Sequence, residues 1–331
     1  MNLQNSSVLI TGGTGSFGSN FLKKVLATHN PARVVVFSRD EHKHHELELA
    51  LDPAARSKVR LFIGDVRDRE RLVTAMHGID YVIHAAALKH VPLAEYNPFE
   101  CIQTNVIGAE NVAQAAIRAG VKKVVALSTD KAANPVNLYG ASKLASDKIF
   151  IAANNVAGTD GTRFSVVRYG NVVNSRGSVV PFFCKLVKDG NDHLPITDPN
   201  MTRFLITLDQ SVQFVLASLD MMRGGEIFVP KIPSVHIPDL ARAIAPDLEQ
   251  RVVGIRPGEK LHEIMITRDD ARNTVELDDR YIIEPSFVFW SRTRDPLPDA
   301  TPVGENFTYS SDRNSQFLNE QEISELLSEI G

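Results

Sequence analysis

Cysteine is scarce in this chain of 331 residues: only Cys101 and Cys184 occur, far apart and without metal-ligand spacing. That scarcity excludes a disulfide framework and a thiolate metal site, and it leads us to expect a reduced, cytosolic protein. No apolar run reaches the roughly 18 residues that a membrane-spanning helix needs. Neither sign of charge dominates, with 36 Lys and Arg against 40 Asp and Glu and a net charge of −4. Such an interspersed balance argues against a nucleic-acid or membrane-binding surface. Repeats and low-complexity tracts are also missing. The first apolar strand opens so early that no signal peptide is expected ahead of it.

What the chain has is alternation. Short apolar runs at Val8–Thr11, Val34–Phe37, Val59–Ile63, Tyr81–His84, Val124–Ser128 and Ser165–Arg168 read as buried parallel strands. Helical patterns lie between them, the longest over about 99–119 and 138–154. A βαβα order of this kind predicts an α/β fold with a doubly wound parallel sheet, a dinucleotide-binding Rossmann domain. After Asn171 the texture turns irregular, beginning at Arg176. Ile206–Met222 then reads as a helix, Glu226–Val229 as a last strand and Glu320–Ile330 as an acidic helix. The expected division is therefore 1–171 plus 204–229 for the nucleotide domain, and 172–203 plus 230–331 for a smaller substrate lobe.

Gly12, Gly15 and Gly18 sit directly after the first strand in a G-x-x-G-x-x-G spacing and open an amphipathic helix. The first glycine makes the turn, the second admits a pyrophosphate to the backbone, and the third lets helix and strand pack closely. Helix N-terminal N–H groups then face the phosphates. Twenty residues past Gly18, where an NAD protein usually places an acid, stands Ser38, followed by Arg39, Asp40 and Lys43. A small hydroxyl leaves room for a 2′-phosphate, and Arg39 and Lys43 are placed to pair with it, which favours NADP. The competing reading is a mixed-charge helix start.

Tyr139-Gly140-Ala141-Ser142-Lys143 puts an ammonium one turn from a phenol on the same helix face. A cation there is expected to lower the phenol's pKa, making Tyr139 a base for a hydroxyl proton. Upstream, Thr129-Asp130-Lys131 adds an acid and a second base that simple alcohol oxidation does not require. The bland alternative for Asp130-Lys131 is a strand-end salt bridge.

The stretches TGGTGSFG, HAAALKHVP, STDKAANPVNLYGASK, RYGNV and RPGEKLHE together resemble the extended short-chain dehydrogenases/reductases. Within that superfamily they look most like the inverting UDP-N-acetylglucosamine 4,6-dehydratases that open pseudaminic acid biosynthesis, a route associated with flagellin glycosylation. The resemblance is dense from Leu9 to about Glu263 and loose beyond. Common sugar 4,6-dehydratases carry Thr-Asp-Glu where this chain has Thr129-Asp130-Lys131, so Lys131 is its specific part. Asn174 stands where the resemblance leads one to expect glycine.

The resemblance implies that Tyr139, supported by Lys143, starts oxidation at C4, that Asp130 protonates the leaving C6 oxygen, and that Lys131 takes the C5 proton. The C5-inverted product would be UDP-2-acetamido-2,6-dideoxy-β-L-arabino-hex-4-ulose. Lys131 needs a lowered pKa for that role, expected from burial and Lys143. The implied NADP site comprises Gly12, Thr14, Gly15, Ser16, Phe17, Gly18, Ser38, Arg39, Asp40, Lys43, Asp65, Val66, Ala85, Ala87, Lys89, Leu127, Ser128, Tyr139, Lys143, Tyr169 and Asn171. The implied sugar-nucleotide site comprises Lys89, Thr129, Tyr139, Asn171, Ser178, Val179, Val180, Pro195, Thr197, Arg203, Arg256 and Glu259. Of these, Arg203 and Arg256 are expected to clamp a diphosphate. Glu259 and His262 are read as more structural than catalytic, and His42, His44 and His45 as a solvated face. No metal site is expected, and the long helices suit a homo-oligomer. A retaining dehydratase or a UDP-sugar C4 epimerase would use the same Tyr139, Lys143 and NADP. A non-catalytic NADP sensor would usually lack the Tyr/Lys pair.

Overall fold

The computed structural model describes residues 3–175, 177–290 and 297–328. Arg176 and Ile330, which bound two expected elements, lie outside the described residues. Six strands run β1 (Ser7–Thr11), β2 (Arg33–Ser38), β3 (Val59–Ile63), β4 (Tyr81–His84), β5 (Lys123–Thr129) and β6 (Arg163–Tyr169). They pair in parallel in the order β3-β2-β1-β4-β5-β6, and Ile227–Pro230 adds a further parallel strand beside β6. Outside the edge strand β3, where Ile63 is exposed, their β-branched and aromatic residues are mostly buried, as a sheet covered on both faces requires. Helix Ser16–Thr28 packs on Leu208–Met221, whose N-terminus carries a Thr207/Gln210 capping box. Gly108–Ala119 packs between Arg69–Met76 and Leu138–Ala157. Strand order reverses between β1 and β4, so a crevice opens beyond their carboxyl ends.

Three findings differ from the sequence reading. Arg280–Ile283, Thr274–Glu276 and Thr301–Pro302 extend the main sheet in antiparallel fashion, although 230–331 was expected to form part of the separate lobe. Short strands broken by proline carry too weak a period for such pairing to be read from the chain. Strand Thr202–Ile206 crosses the expected boundary at 203/204 and pairs instead with Asn171–Val172 and Ser234–His236 in a small separate sheet. The long helix expected over 99–119 contains a π-turn at Gln103–Ile107, between Pro98–Ile102 and Gly108–Ala119.

A second apolar cluster, including Val173, Phe183, Leu194, Met201, Val235, Leu240 and Ile323, supports the lobe across the crevice. Asn174 adopts φ 58°, the left-handed region that favours glycine and that Asn tolerates best among other residues. Among the described residues no helix is long and apolar enough to cross a membrane, and no His/Cys/Asp/Glu group is arranged for a metal.

Candidate functional site

The carboxyl ends of the strands and the small lobe enclose a cleft of about 1120 Å³. At one end the backbone shapes it. Gly12 turns out of β1 at φ +67°, and a Cβ there would lie 2.9 Å from the backbone of Ala86. A Cβ on Gly18 would sit 2.4 Å from Gly13 Cα, so the helix approaches the turn as closely as only glycine permits. Gly15 caps that helix without a side-chain acceptor, and Gly15, Ser16 and Phe17 line the cleft. The unpaired N–H groups and the cradle fit a pyrophosphate.

Beyond β2, the Thr14 and Ser38 hydroxyls hydrogen-bond at 2.7 Å. Arg39 is half exposed and approaches Asp65 at 3.3 Å, while Lys43 pairs with Asp40 at 2.6 Å. Asp65 also accepts from the backbone, Nε and Nη2 of Arg67. Burial opposes the Asp65 charge, but Arg67 and Arg39 outweigh it and hold the carboxyl below its usual range. His44 corrects the expectation of a solvated face. It is buried, its Nε2 lies 3.2 Å from the carbonyl of Ser38, and burial lowers its pKa.

The π-turn positions the opposite wall. Asn105 donates to the carbonyl of Leu88 and to the Ser142 hydroxyl, and accepts from the backbone of Leu88. It thereby ties the Ala85–Lys89 loop to the Leu138–Ala157 helix. π-turns tend to mark functional sites, but nothing in the sequence period reveals this one. Gly140 brings the same helix against Lys131, since a Cβ there would lie 2.2 Å from the Lys131 carbonyl oxygen.

At the catalytic end, β5 delivers Thr129 and the short 3₁₀ turn Asp130–Ala132. The Thr129 hydroxyl donates to Asp130 Oδ1 at 2.9 Å. Lys131 Nζ reaches Asp130 Oδ1 at 3.0 Å, Glu263 Oε1 at 3.2 Å and Asn171 Oδ1 at 3.5 Å. Burial works against the Lys131 charge, but the Asp130 and Glu263 carboxylates outweigh it and raise the pKa. This corrects the expectation of a lowered pKa, because the sequence did not show that a second buried carboxylate meets the ammonium. Burial and then the Glu263 charge push the Asp130 pKa upward, against the pull of Lys131.

Tyr139 is half-buried, and burial pushes its phenol up to about 12. Lys131 and the Thr129 hydroxyl oppose that rise, and Asp130 reinforces it. The expected lowering by Lys143 is not found: the cation that acts on the phenol is Lys131, and desolvation outweighs it. Lys143 itself is buried, its pKa lowered by desolvation and partly restored by Asp147.

The cleft gathers nearly every residue expected from the sequence, and three need correction. Val180 packs into the lobe core and does not line the cleft. Asp130 lies fully buried beneath the lining, behind Lys131. Arg203 is buried, with Nη1 donating to the carbonyls of Thr202 and Leu261 and Nη2 to that of Lys260. Three of its five donors are thus spent on the fold although it lines the cleft, whereas Arg256 stands exposed at the rim. His262 meets Thr202 Oγ1 at 2.8 Å, a structural contact. Glu263 and Lys260 are what the sequence reading missed. Both belong to the RPGEKLHE stretch, whose density of charge next to glycine was the available signal.

The model of the polysaccharide biosynthesis protein family matches residues 8–285, most of the chain and all of this machinery. The chain belongs to that family. The family match takes in the glycine turn, Thr129 to Lys143 and Glu263 alike. A UDP-N-acetylglucosamine 4,6-dehydratase (inverting) of Campylobacter jejuni is 55% identical over 97% of both chains. The crystal structure of Pen from Bacillus thuringiensis superposes with a TM-score of 0.90 at 36% identity, over 99% of this chain and 98% of that one. DesIV of Streptomyces venezuelae, a dTDP-glucose 4,6-dehydratase with NAD and TYD bound, gives 0.68 at 26% identity over 77% and 86%. The family's fold here is the doubly wound Rossmann sheet expected from the alternation of elements.

Proposed function

We propose that this protein is an inverting UDP-N-acetylglucosamine 4,6-dehydratase that uses NADP. One observation carries the reading: Lys131 lines the cleft with Tyr139, and the carboxyl of Asp130 lies directly behind it at 3.0 Å. Oxidation or C4 epimerisation needs Tyr139 alone, whereas elimination across C5 and C6 needs an acid and a second base. The 55% identity to an enzyme named for this reaction supports the substrate and the inversion. The bound cofactor supplies a hydride acceptor for C4 and a hydride donor for C6, so no net redox change results.

The reading assigns roles to the chain's own residues. Tyr139 takes the C4 hydroxyl proton, with Thr129 orienting the phenol. Removal of the C5 proton falls to Lys131. Asp130, its pKa raised by burial, is the acid for the departing C6 hydroxyl. Lys143 and Asn171 position ribose and sugar, and Arg256 meets the diphosphate from the rim. Gly12, Gly15 and the helix N-terminus hold the pyrophosphate, Ser38 and Arg39 accommodate the 2′-phosphate, and Asp65 serves the adenine side. The exposed Leu93, Tyr96, Phe99 and Ile107 of the helical segments near the Leu138–Ala157 helix support a homo-oligomer. A place at the opening of pseudaminic acid biosynthesis, in the cytoplasm, is consistent with this substrate.

Incubation with UDP-N-acetylglucosamine in deuterated water, followed by proton NMR, tests the reading. The expected product is the 4-keto-6-deoxy sugar with inverted C5, one solvent deuteron at C5, and a C6 hydrogen derived from C4 of the same molecule. Lys131→Ala is expected to keep NADP binding and lose C5 exchange. A product with C5 retained would replace the inverting assignment with the retaining one.

A further inference from the structure

Tyr139, Lys143 and Asp147 follow one another at about one turn along the Leu138–Ala157 helix, so they share a face. The first two line the cleft, and the third lies beneath it, 1% exposed, with no task yet assigned to it. Its Oδ2 accepts from the Ser128 hydroxyl at 2.8 Å and from Arg168 Nη2 at 3.3 Å. Arg168 is buried as well, with Nη1 donating to the carbonyl of Met265 at 2.9 Å and lying 3.8 Å from Asp270. A buried ion pair by itself adds little to stability. The members of this one each adjoin a residue of the site. Ser128 precedes Thr129 on β5, Arg168 precedes Tyr169 on β6, Met265 stands two residues past Glu263, and Asp147 is one turn beyond Lys143.

We propose that Asp147 is a positioning residue that supplies the counter-charge of Lys143 and ties the helix of Tyr139 and Lys143 to the ends of β5 and β6. This rests on the part of the reading above that gives C4 oxidation to Tyr139 and the cofactor ribose to Lys143. Lys143 is buried, and burial favours the neutral amine, which has one donor fewer and no charge. The negative charge of Asp147, one helix turn away, opposes that loss. Arg168 does not cancel it, because Asp147 and Asp270 share the one guanidinium and leave the trio net negative.

Several other titratable groups surround the pair. His84 on β4 is neutral, held so by burial and then by Lys143 itself. Tyr169 at the end of β6 is raised by burial and then by Tyr139, and it remains a phenol. Lys131 and Asp130 on the 3₁₀ turn act on Tyr139. On the π-turn side Cys101 Sγ lies 3.5 Å from the Ser142 hydroxyl, and Glu95 accepts from the backbone of Leu138 at the helix start. Of the carboxylates around the helix, Asp147 is the one that bears on Lys143.

The test follows C4 oxidation, as reduced nicotinamide in the first turnover, and NADP affinity, by calorimetric titration, across pH in wild type, Asp147→Asn and Asp147→Glu. Asparagine keeps the shape and an acceptor for Ser128 but not the charge. Without that charge Lys143 gives up its proton at lower pH, so the alkaline fall of both measurements is expected to move acidward by about one pH unit or more. Tyr139, raised chiefly by burial and further by Asp147, ionises at lower pH in the same variant, so the acid limb of C4 oxidation moves the same way. Asp147→Glu restores the charge and is expected to bring both limbs back toward wild type. An Asp147→Asn profile lowered by one factor at every pH, with its limbs in place, would overturn the assignment. Should Asp147→Asn not fold, combining it with Arg168→Met removes both members of the ion pair and is expected to shift the limbs in the same direction. Failure of that variant to fold as well would make Asp147 a part of the fold alone and overturn the assignment. A wild-type protein that oxidises no UDP-N-acetylglucosamine would remove the dehydratase reading, and the NADP titrations would then decide Asp147 by themselves.

Discussion

The two ends of the cleft are built by different means. The nucleotide end is made largely of backbone: Gly12, Gly15 and Gly18 within a single strand-turn-helix. The sugar end is made of side chains, where Asp130, Lys131, Arg203, Lys260 and Glu263 meet from segments more than a hundred residues apart. Backbone N–H groups and a helix terminus serve any dinucleotide, so that end is general. Buried carboxylates and ammonium groups must balance one another, so the sugar end tolerates little change and carries the specificity.

Each prediction probes one end, beginning with the largest effect. Tyr139→Phe removes the base that opens the reaction, and turnover is expected to fall by about two to four orders of magnitude. Unfolding temperature and NADP titration should remain near wild type, and near-normal turnover would take Tyr139 out of the mechanism. At the other end, Gly18→Ala forces a methyl into contact with Gly13 and is expected to cost about 1–3 kcal/mol of stability. Denaturant unfolding checks this, and an unchanged midpoint would show that the turn can give way.

Arg39→Ala separates cofactor specificity from catalysis. Because Arg39 is half exposed and shared with Asp65, the loss of NADP affinity should lie near about 1.5 kcal/mol, with NAD binding unaffected. Calorimetric titration with both dinucleotides decides it, and equal losses would place the 2′-phosphate elsewhere.

At neutral pH His84 gives the smallest effect, beneath both ends. Burial, reinforced by the charge of Lys143, lowers its pKa to about 3. The folded state therefore prefers the neutral ring, so its contribution is complete above the unfolded value of about 6.5 and is lost as pH falls toward 3. Between those limits each pH unit should cost about 1.4 kcal/mol from this residue. His84→Gln should flatten that part of the curve, and an unaltered slope would assign it to other groups such as His44.

Much of the nucleotide end was legible in the chain because its determinants are local. Periodicity placed β1 to β6 within a residue or two, and the glycine spacing located the turn. His44 escaped because its helix is polar apart from Leu47 and Leu49, and only the packing of Ser38 against it shows burial. Arg203 reads in sequence like any cation near a diphosphate, yet three carbonyls claim its guanidinium.

The amino-acid sequence by itself determined the doubly wound sheet, the cofactor turn and the Tyr139–Lys143 helix face, since each depends on spacing within a few turns of chain. Only the tertiary structure decided the protonation of the sugar end. Whether Lys131 is an amine or an ammonium depends on which carboxylates reach it and how much water remains. Glu263 arrives from 132 positions downstream, delivered by the loop after the small sheet, and no local pattern encodes that meeting.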